Sequence, residues 1–170
     1  MTMESDVHAW IEQRLSVELD EFNGMPACPY ARQAVLDGKV KCVELKNIFG
    51  HIVMPDYFRA ELENFTYHWP KNIDVVVLGC DAKLISSEQL SEIAEQANTG
   101  LIGKRGYLVL EDHPSEVEAV AGYTVNQGTW ALLLLQSRKK ILAAREILER
   151  KGYYKNWDEQ YYKDVVLDRS

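Results

Sequence analysis

The run from Ile73 to Leu78 constrains this chain more than any other segment, because it holds three consecutive β-branched residues, Val75, Val76 and Val77. A run with no polar alternation reads as a buried strand, which needs helices packed on its sheet. The flanking sequence supplies them. Pro55 opens a helix with Met54, Phe58, Leu62, Phe65 and Trp69 on one face, and Pro70 closes it. Ser86 and Gln89 form a capping box ahead of Leu90, Ile93, Ala94 and Ala97, with Gly100 and Gly103 at the far end.

The remaining elements follow from the same rules. Ser5 and Asp6 are expected to cap a first helix, where Val7, Trp10, Ile11, Leu15, Leu19 and Phe22 recur at helical spacing until Asn23-Gly24 and Pro26 stop it. A second helix is expected from Pro29 to about Leu36. Val40 to Leu45 alternates as a half-exposed strand, and Tyr107 to Leu110 is a short one. Pro114 to Ala121 reads as one or two helical turns. Asn126-Gln127-Gly128 is a turn before the strand Thr129 to Gln136, and Ser137 is expected to cap a last helix ending at Arg150-Lys151-Gly152.

This order predicts a single α/β (or α+β) domain over residues 1–152, with a mixed sheet of about four strands packed by helices. Parallel neighbours come from the helical crossovers and an antiparallel one from the Pro114–Gly128 connection. Residues 153–170 form an aromatic tail, where Tyr153-Tyr154-Lys155 and Tyr161-Tyr162-Lys163 echo each other around Trp157. These rings either pack on their own domain or contact a protein partner or second copy.

A net charge of -7 argues against a general nucleic-acid or membrane-surface role, and no window of lysines and arginines opposes that: the densest, Arg138-Lys139-Lys140, is flanked by apolar residues and is expected to decorate one helix. The longest apolar run, Trp130 to Leu135, is far too short to span a bilayer. Three cysteines without paired spacing, and no secretory leader, place the chain by expectation in the reducing cytoplasm.

Chemistry concentrates at Cys28-Pro29-Tyr30-Ala31. Proline favours the first helical position, so Cys28 is expected at the N-cap, where unpaired N–H groups and the helix dipole favour thiolate. A glutaredoxin-like dithiol is excluded, since Ala31 stands where the second cysteine belongs. His113, beside Asp112, follows a strand end, where α/β sheets place ligands, and imidazole there can act as general base or simply cap a turn. Cys80 and Asp81 follow another strand and are expected on the same edge. The glycine- and lysine-rich Gly100–Gly106 segment lacks Walker spacing and precedes a strand, which excludes a phosphate loop. His8, His51 and His68 carry no specific signal.

The pattern resembles an uncharacterised bacterial domain-of-unknown-function family with an amino-terminal tryptophan helix, a Cys-Pro-Phe-Ala motif, a Gly-x-Val-Arg strand and a strand ending in Phe-His-Pro. The matching positions are Trp10, Cys28-Pro29-Tyr30-Ala31, Gly38-Lys39-Val40-Lys41 and Leu110-Glu111-Asp112-His113-Pro114. The family's Asn-Arg-Ser-Pro-Tyr-Pro segment is replaced by Val125-Asn126-Gln127-Gly128. The resemblance implies a fold and a site location, and no activity.

Three functional readings stand at this level. The first is an enzyme or small-molecule-binding protein with a site at the sheet edge. In it Cys28 is the activated thiol, His113 its base or anchor, and Tyr30, Arg32 and Asp112 the substrate contacts. The second is a non-catalytic interaction or oligomerisation module using Tyr153–Tyr162. The third is a Cys/His metalloprotein built on Cys28, Cys80 and His113, although no two of these have close ligand spacing. The sequence assigns no cofactor.

Overall fold

Thr2 and Ser5 cap the first helix reciprocally, each side chain bonded to the other's backbone N–H, so the chain enters helix earlier than Ser5 and Asp6 suggested. The computed structural model describes residues 2–47, 50, 53–120 and 122–167, which leaves His51 outside the described residues. In chain order the elements are α1 (Met3–Trp10), β1 (Glu18–Leu19), β2 (Met25–Pro26), α2 (Ala31–Leu36), β3 (Val40–Glu44), α3 (Met54–Tyr67), β4 (Val75–Asp81), α4 (Ser87–Thr99), α5 (Leu101–Lys104), β5 (Tyr107–Asp112), β6 (Ala119–Val120), β7 (Tyr123–Thr124), β8 (Trp130–Ser137), α6 (Arg138–Arg150) and α7 (Glu159–Tyr162).

The main sheet has the order β3-β4-β8-β5. β3 and β4 are parallel, joined through α3, while β8 lies antiparallel to both β4 and β5. This is the expected four-stranded mixed sheet. β8, last in sequence, inserts between its two earlier neighbours. β3, β4 and β5 therefore run the same way, and their C-terminal ends share one edge with the start of β8.

The valine run serves both faces, as strand alternation requires. Val76, Leu78 and Cys80, with Ala131, Leu133 and Leu135 of β8, meet Phe58 and Leu62 of α3 and Leu90 and Ile93 of α4. Val77 and Leu132 face the other way, onto Met3, Val7 and Ile11, with Ala31 and Val35 of α2 at the margin. Gly79 allows this second layer to close. A Cβ there would sit 2.5 Å from Leu132 Cδ2 and 2.5 Å from Met3 Sδ.

Two expectations fail for tertiary reasons. The first helix does not reach Phe22: after a π-helical turn at Ile11–Leu15 the chain leaves helix and forms the β1–β2 pair. Ser16 Oγ donates to the Ile11 carbonyl (2.6 Å) and Cys28 N–H to the Leu15 carbonyl (2.8 Å), occupying acceptors that a further turn would use. Phe22 thereby reaches a separate core, stacked on Tyr153 (centroids 5.5 Å apart) and meeting Trp157 edge-on. Residues 114–120 form no helical turn. The β6–β7 hairpin follows instead, and the buried Asn126 holds it: its side chain donates to Glu116 O (2.7 Å) and accepts from Glu118 N–H.

The tail rings are packed against the same body. Tyr153 is buried, and Tyr154, Trp157 and Tyr161 line the Phe22 cluster. β5 is an edge strand, and at Val109 its outward backbone groups are used: Asn98 of α4 donates to Val109 O and accepts from Val109 N–H, both at 2.8 Å. Gly103 lets α5 fold back closely on the end of α4, because a Cβ there would lie 1.8 Å from the Asn98 backbone carbonyl oxygen. No helix among the described residues is long and apolar enough to cross a membrane.

Candidate functional site

Cys28 does not cap a helix. α2 begins at Ala31 with Tyr30 at its N-cap, and Cys28 lies two residues earlier in the turn that returns the chain from β2. Its backbone is bonded at both ends, N–H to Leu15 O and C=O from Ala31 N–H at 3.2 Å. Burial pushes the thiol up. The N–H groups of Tyr30 and Ala31 pull the other way and lose to it. The donors are those expected of a helix start, and desolvation outweighs them. Tyr153 closes over this turn, donating its hydroxyl to Ala27 O.

The other proposed members of a thiol site are elsewhere. Cys80 is fully buried in the α3/α4 layer, with its thiol pushed up to about 12 by burial and by Asp81. The Cys28 turn joins the N-terminal segment at Leu15, in the layer on the opposite face. Tyr30 and Arg32 are exposed near α2 and do not line the cleft described next. Among the described residues, no three His, Cys, Asp or Glu side chains are grouped to hold a metal ion.

His113 sits where its strand position predicted, at the C-terminal edge, beside the turn that follows Cys80 and Asp81. Its ring lines a cleft of about 440 Å³ between the 3-10 turn Ala82–Leu84, the first turn of α4 and the end of β5. Ser115 N–H donates to Nδ1 (3.2 Å), and the Ser115 hydroxyl lies 2.8 Å from the same nitrogen. A backbone N–H can only donate, so Nδ1 accepts and Nε2 carries the hydrogen, directed at Ile85 O (3.2 Å) and Ala82 O (3.4 Å). The buried ring thereby ties β5 to the turn after β4 and presents one hydroxyl, on Ser115, to the cleft.

The remaining wall is mixed, with Ala82, Leu84 and Ile85 beside polar side chains. Ser86, Ser87, Glu88 and Gln89 come from the start of α4, and Lys83 from the preceding turn. Glu88 is held below the usual carboxylate range by the Ser86 hydroxyl and by its own backbone N–H, with smaller help from Ser87 and His113. The Ser86/Gln89 capping box was legible as a helix start, yet nothing local said that it faced His113. Ser115 carried no sequence signal at all.

Asp112 does not face this cleft. Its carboxylate turns into the β5–β8 connection, accepting from Asn126 Nδ2 and Gln127 N–H, each at 2.7 Å. Burial raises its pKa, against those two hydrogen bonds. Asp112 is a buried anchor for the loop. The same loop grips the end of α1 and the π-helical turn after it, since Trp10 Nε1 donates to Val125 O (2.8 Å) and Arg14 to Asn126 O (3.2 Å).

No protein family, curated protein or solved structure matches this chain. Three positions of the sequence motifs have these structural roles: Trp10 locks the β5–β8 loop, Gly38 turns into β3 at φ 63°, and His113 bonds the turn after β4.

Proposed function

We propose that this protein binds a small polar molecule in the cleft at the C-terminal ends of β4 and β5. The observation that carries the reading is His113, a buried imidazole of defined tautomer on the wall of a cleft that it shares with the polar Lys83, Ser86, Ser87, Glu88, Gln89 and Ser115 and the apolar Ala82, Leu84 and Ile85. Such walls recognise a ligand offering both donors and acceptors, such as a hydroxylated or amide-bearing metabolite. Cys28 has no part in this site. The test is a screen of polar metabolites by amide chemical shift, on the wild type and on Leu84→Trp, which places a bulky ring at the cleft from an exposed position. A ligand is expected to move the amides of residues 83–89, His113 and Ser115 and to lose affinity in L84W. Shifts confined to other regions, or binding untouched by L84W, would overturn the reading.

One contact favours a catalytic version of the same site. The Ser115 hydroxyl, 2.8 Å from an accepting His113 Nδ1, has the geometry of a nucleophile beside its base, with Ile85 O orienting the ring. A fluorophosphonate probe that labels Ser115 and fails on Ser115→Ala supports an acyl-transfer enzyme. An unlabelled Ser115 leaves a binding protein. The interface reading of the tail has no comparable observation, because its rings are engaged with Phe22 and with one another.

A further inference from the structure

At the opposite edge of the sheet, the starts of β3, β4 and β5 meet the end of β8. The register pins this: Val40 is opposite Val75, Val75 opposite Gln136, and Tyr107 opposite Ser137. Asp74 N–H donates to Lys39 O (2.8 Å) and Arg138 N–H to Gly106 O (2.9 Å), so four segments distant in sequence are tied side by side.

Their charges are one-sided. The segment before β3 brings Lys39, and that before β4 brings Lys71. The turn before β5 brings Lys104 and Arg105, and the start of α6 brings Arg138, Lys139 and Lys140. Against these seven cations the same segments hold two anions, Asp37 and Asp74, paired with Lys39 and Lys140. The rest of the chain then has 12 of the 19 cations and 24 of the 26 anions. The net charge of -7 averages over a basic edge and a strongly acidic remainder.

Folding alone does not account for this edge. Among the described residues Lys71, Lys104, Arg138 and Lys139 make no salt bridge, and Arg138 Nε is buried without a hydrogen-bond partner. Three cations stand in the first turn of α6, at the positive end of its dipole, with no acidic residue there and no side-chain cap from Ser137. A cleft of about 760 Å³ opens on this edge, lined by the cations Lys39, Lys71 and Lys140, by Trp69 and Asn72, and by the carboxylates Asp37 and Asp74 that Lys39 and Lys140 pair. Tyr67, at the end of α3, is 61% exposed, with the Arg105 guanidinium 3.7 Å from its ring centroid. With strands about 4.8 Å apart, the cations span roughly 15 Å across four strands.

We propose that this edge binds the phosphate backbone of a short single-stranded nucleic acid. The row of cations fits an extended polyanion rather than one phosphate, and the exposed Tyr67 ring offers a surface on which a base stacks. The site is independent of the His113 cleft.

The test uses fluorescence anisotropy of a labelled oligothymidylate of roughly 12 nucleotides, a length within the range single-strand sites cover. If about four cations contact phosphates, the log–log salt slope is about -3, a loss on the order of 50-fold between about 50 and 200 mM salt. The Lys71→Glu, Lys104→Glu, Lys139→Glu triple variant should bind at least about tenfold more weakly with a shallower slope. The Lys151→Glu, Lys155→Glu, Lys163→Glu triple, with the same change in net charge, should bind as the wild type does. Tyr67→Ala should weaken binding by roughly tenfold with the slope unchanged. Absence of binding at the lowest salt, equal weakening by both triples, tighter binding of a duplex, or binding of inorganic polyphosphate but not the oligonucleotide would each overturn the proposal.

Discussion

Replacing Asn126 with alanine should remove the central support of the β5–β8 connection. Asn126 donates to the Asp112 carboxylate and to Glu116 O, and accepts from Glu118 N–H. A hydrogen bond to a charged group contributes about 1.5–3 kcal/mol and a neutral one about 0.5–1.5. Glu116 and Glu118 are exposed and recover much of their loss by bonding water, whereas the buried Asp112 does not. The expected cost is therefore about 3 kcal/mol, or a fall in Tm of about 6–12 °C for a domain of this size. A pH signature accompanies it. Asp112 already has a folded pKa above its ordinary 3.8, and its bond to Asn126 lowers it. Without that bond the folded pKa rises further, so the folded variant retains its proton to higher pH than the folded wild type. Relative to wild type the variant then loses stability as pH rises through the interval between the two folded values, and the deficit levels off above it. Urea unfolding followed by circular dichroism from acid to neutral pH measures both effects. A deficit under about 1 kcal/mol, or one equal at all pH values, would refute the anchoring role of Asn126.

Other outcomes follow from the same contacts. Phe22→Ala should cost about 3–5 kcal/mol by opening a cavity under Tyr153 and Trp157, and should expose the tail to limited proteolysis; an intact tail would argue against its docking on Phe22. Gly103→Ala should destabilise by about 1–3 kcal/mol or more, since its Cβ meets the Asn98 carbonyl, and hydrogen exchange at Val109 should rise with it. The Cys28 thiol should alkylate more slowly than a free cysteine at neutral pH, because burial holds it protonated; a fast reaction would restore the activated-thiol reading. With Tyr153→Ala the reaction should accelerate as the turn opens.

Much of the architecture is readable locally because its cause is local. The valine run of β4, the Ser86/Gln89 box, the Pro55 start of α3 and the end of α6 before Gly152 depend on neighbours within a few residues, and all appear in the structure. His113 was legible by the same logic, since a strand end is a local feature and its edge follows from strand direction. The extent of the first helix was not, because the apolar period continues to Phe22 while the acceptors at Ile11 and Leu15 are taken by Ser16 and Cys28.

What the sequence alone determined, then, is that helices must cover a sheet of about four strands, and which residues point into it. Tertiary structure decided what depends on strand order. Inserting β8 between β4 and β5 set Ser115 and His113 against the start of α4, separated Cys28 from both, and gathered scattered lysines and arginines onto one edge. Burial and charge density are sums over neighbours in space. A linear reading of a chain with net charge -7 could therefore weigh each cation and still not find the edge they share.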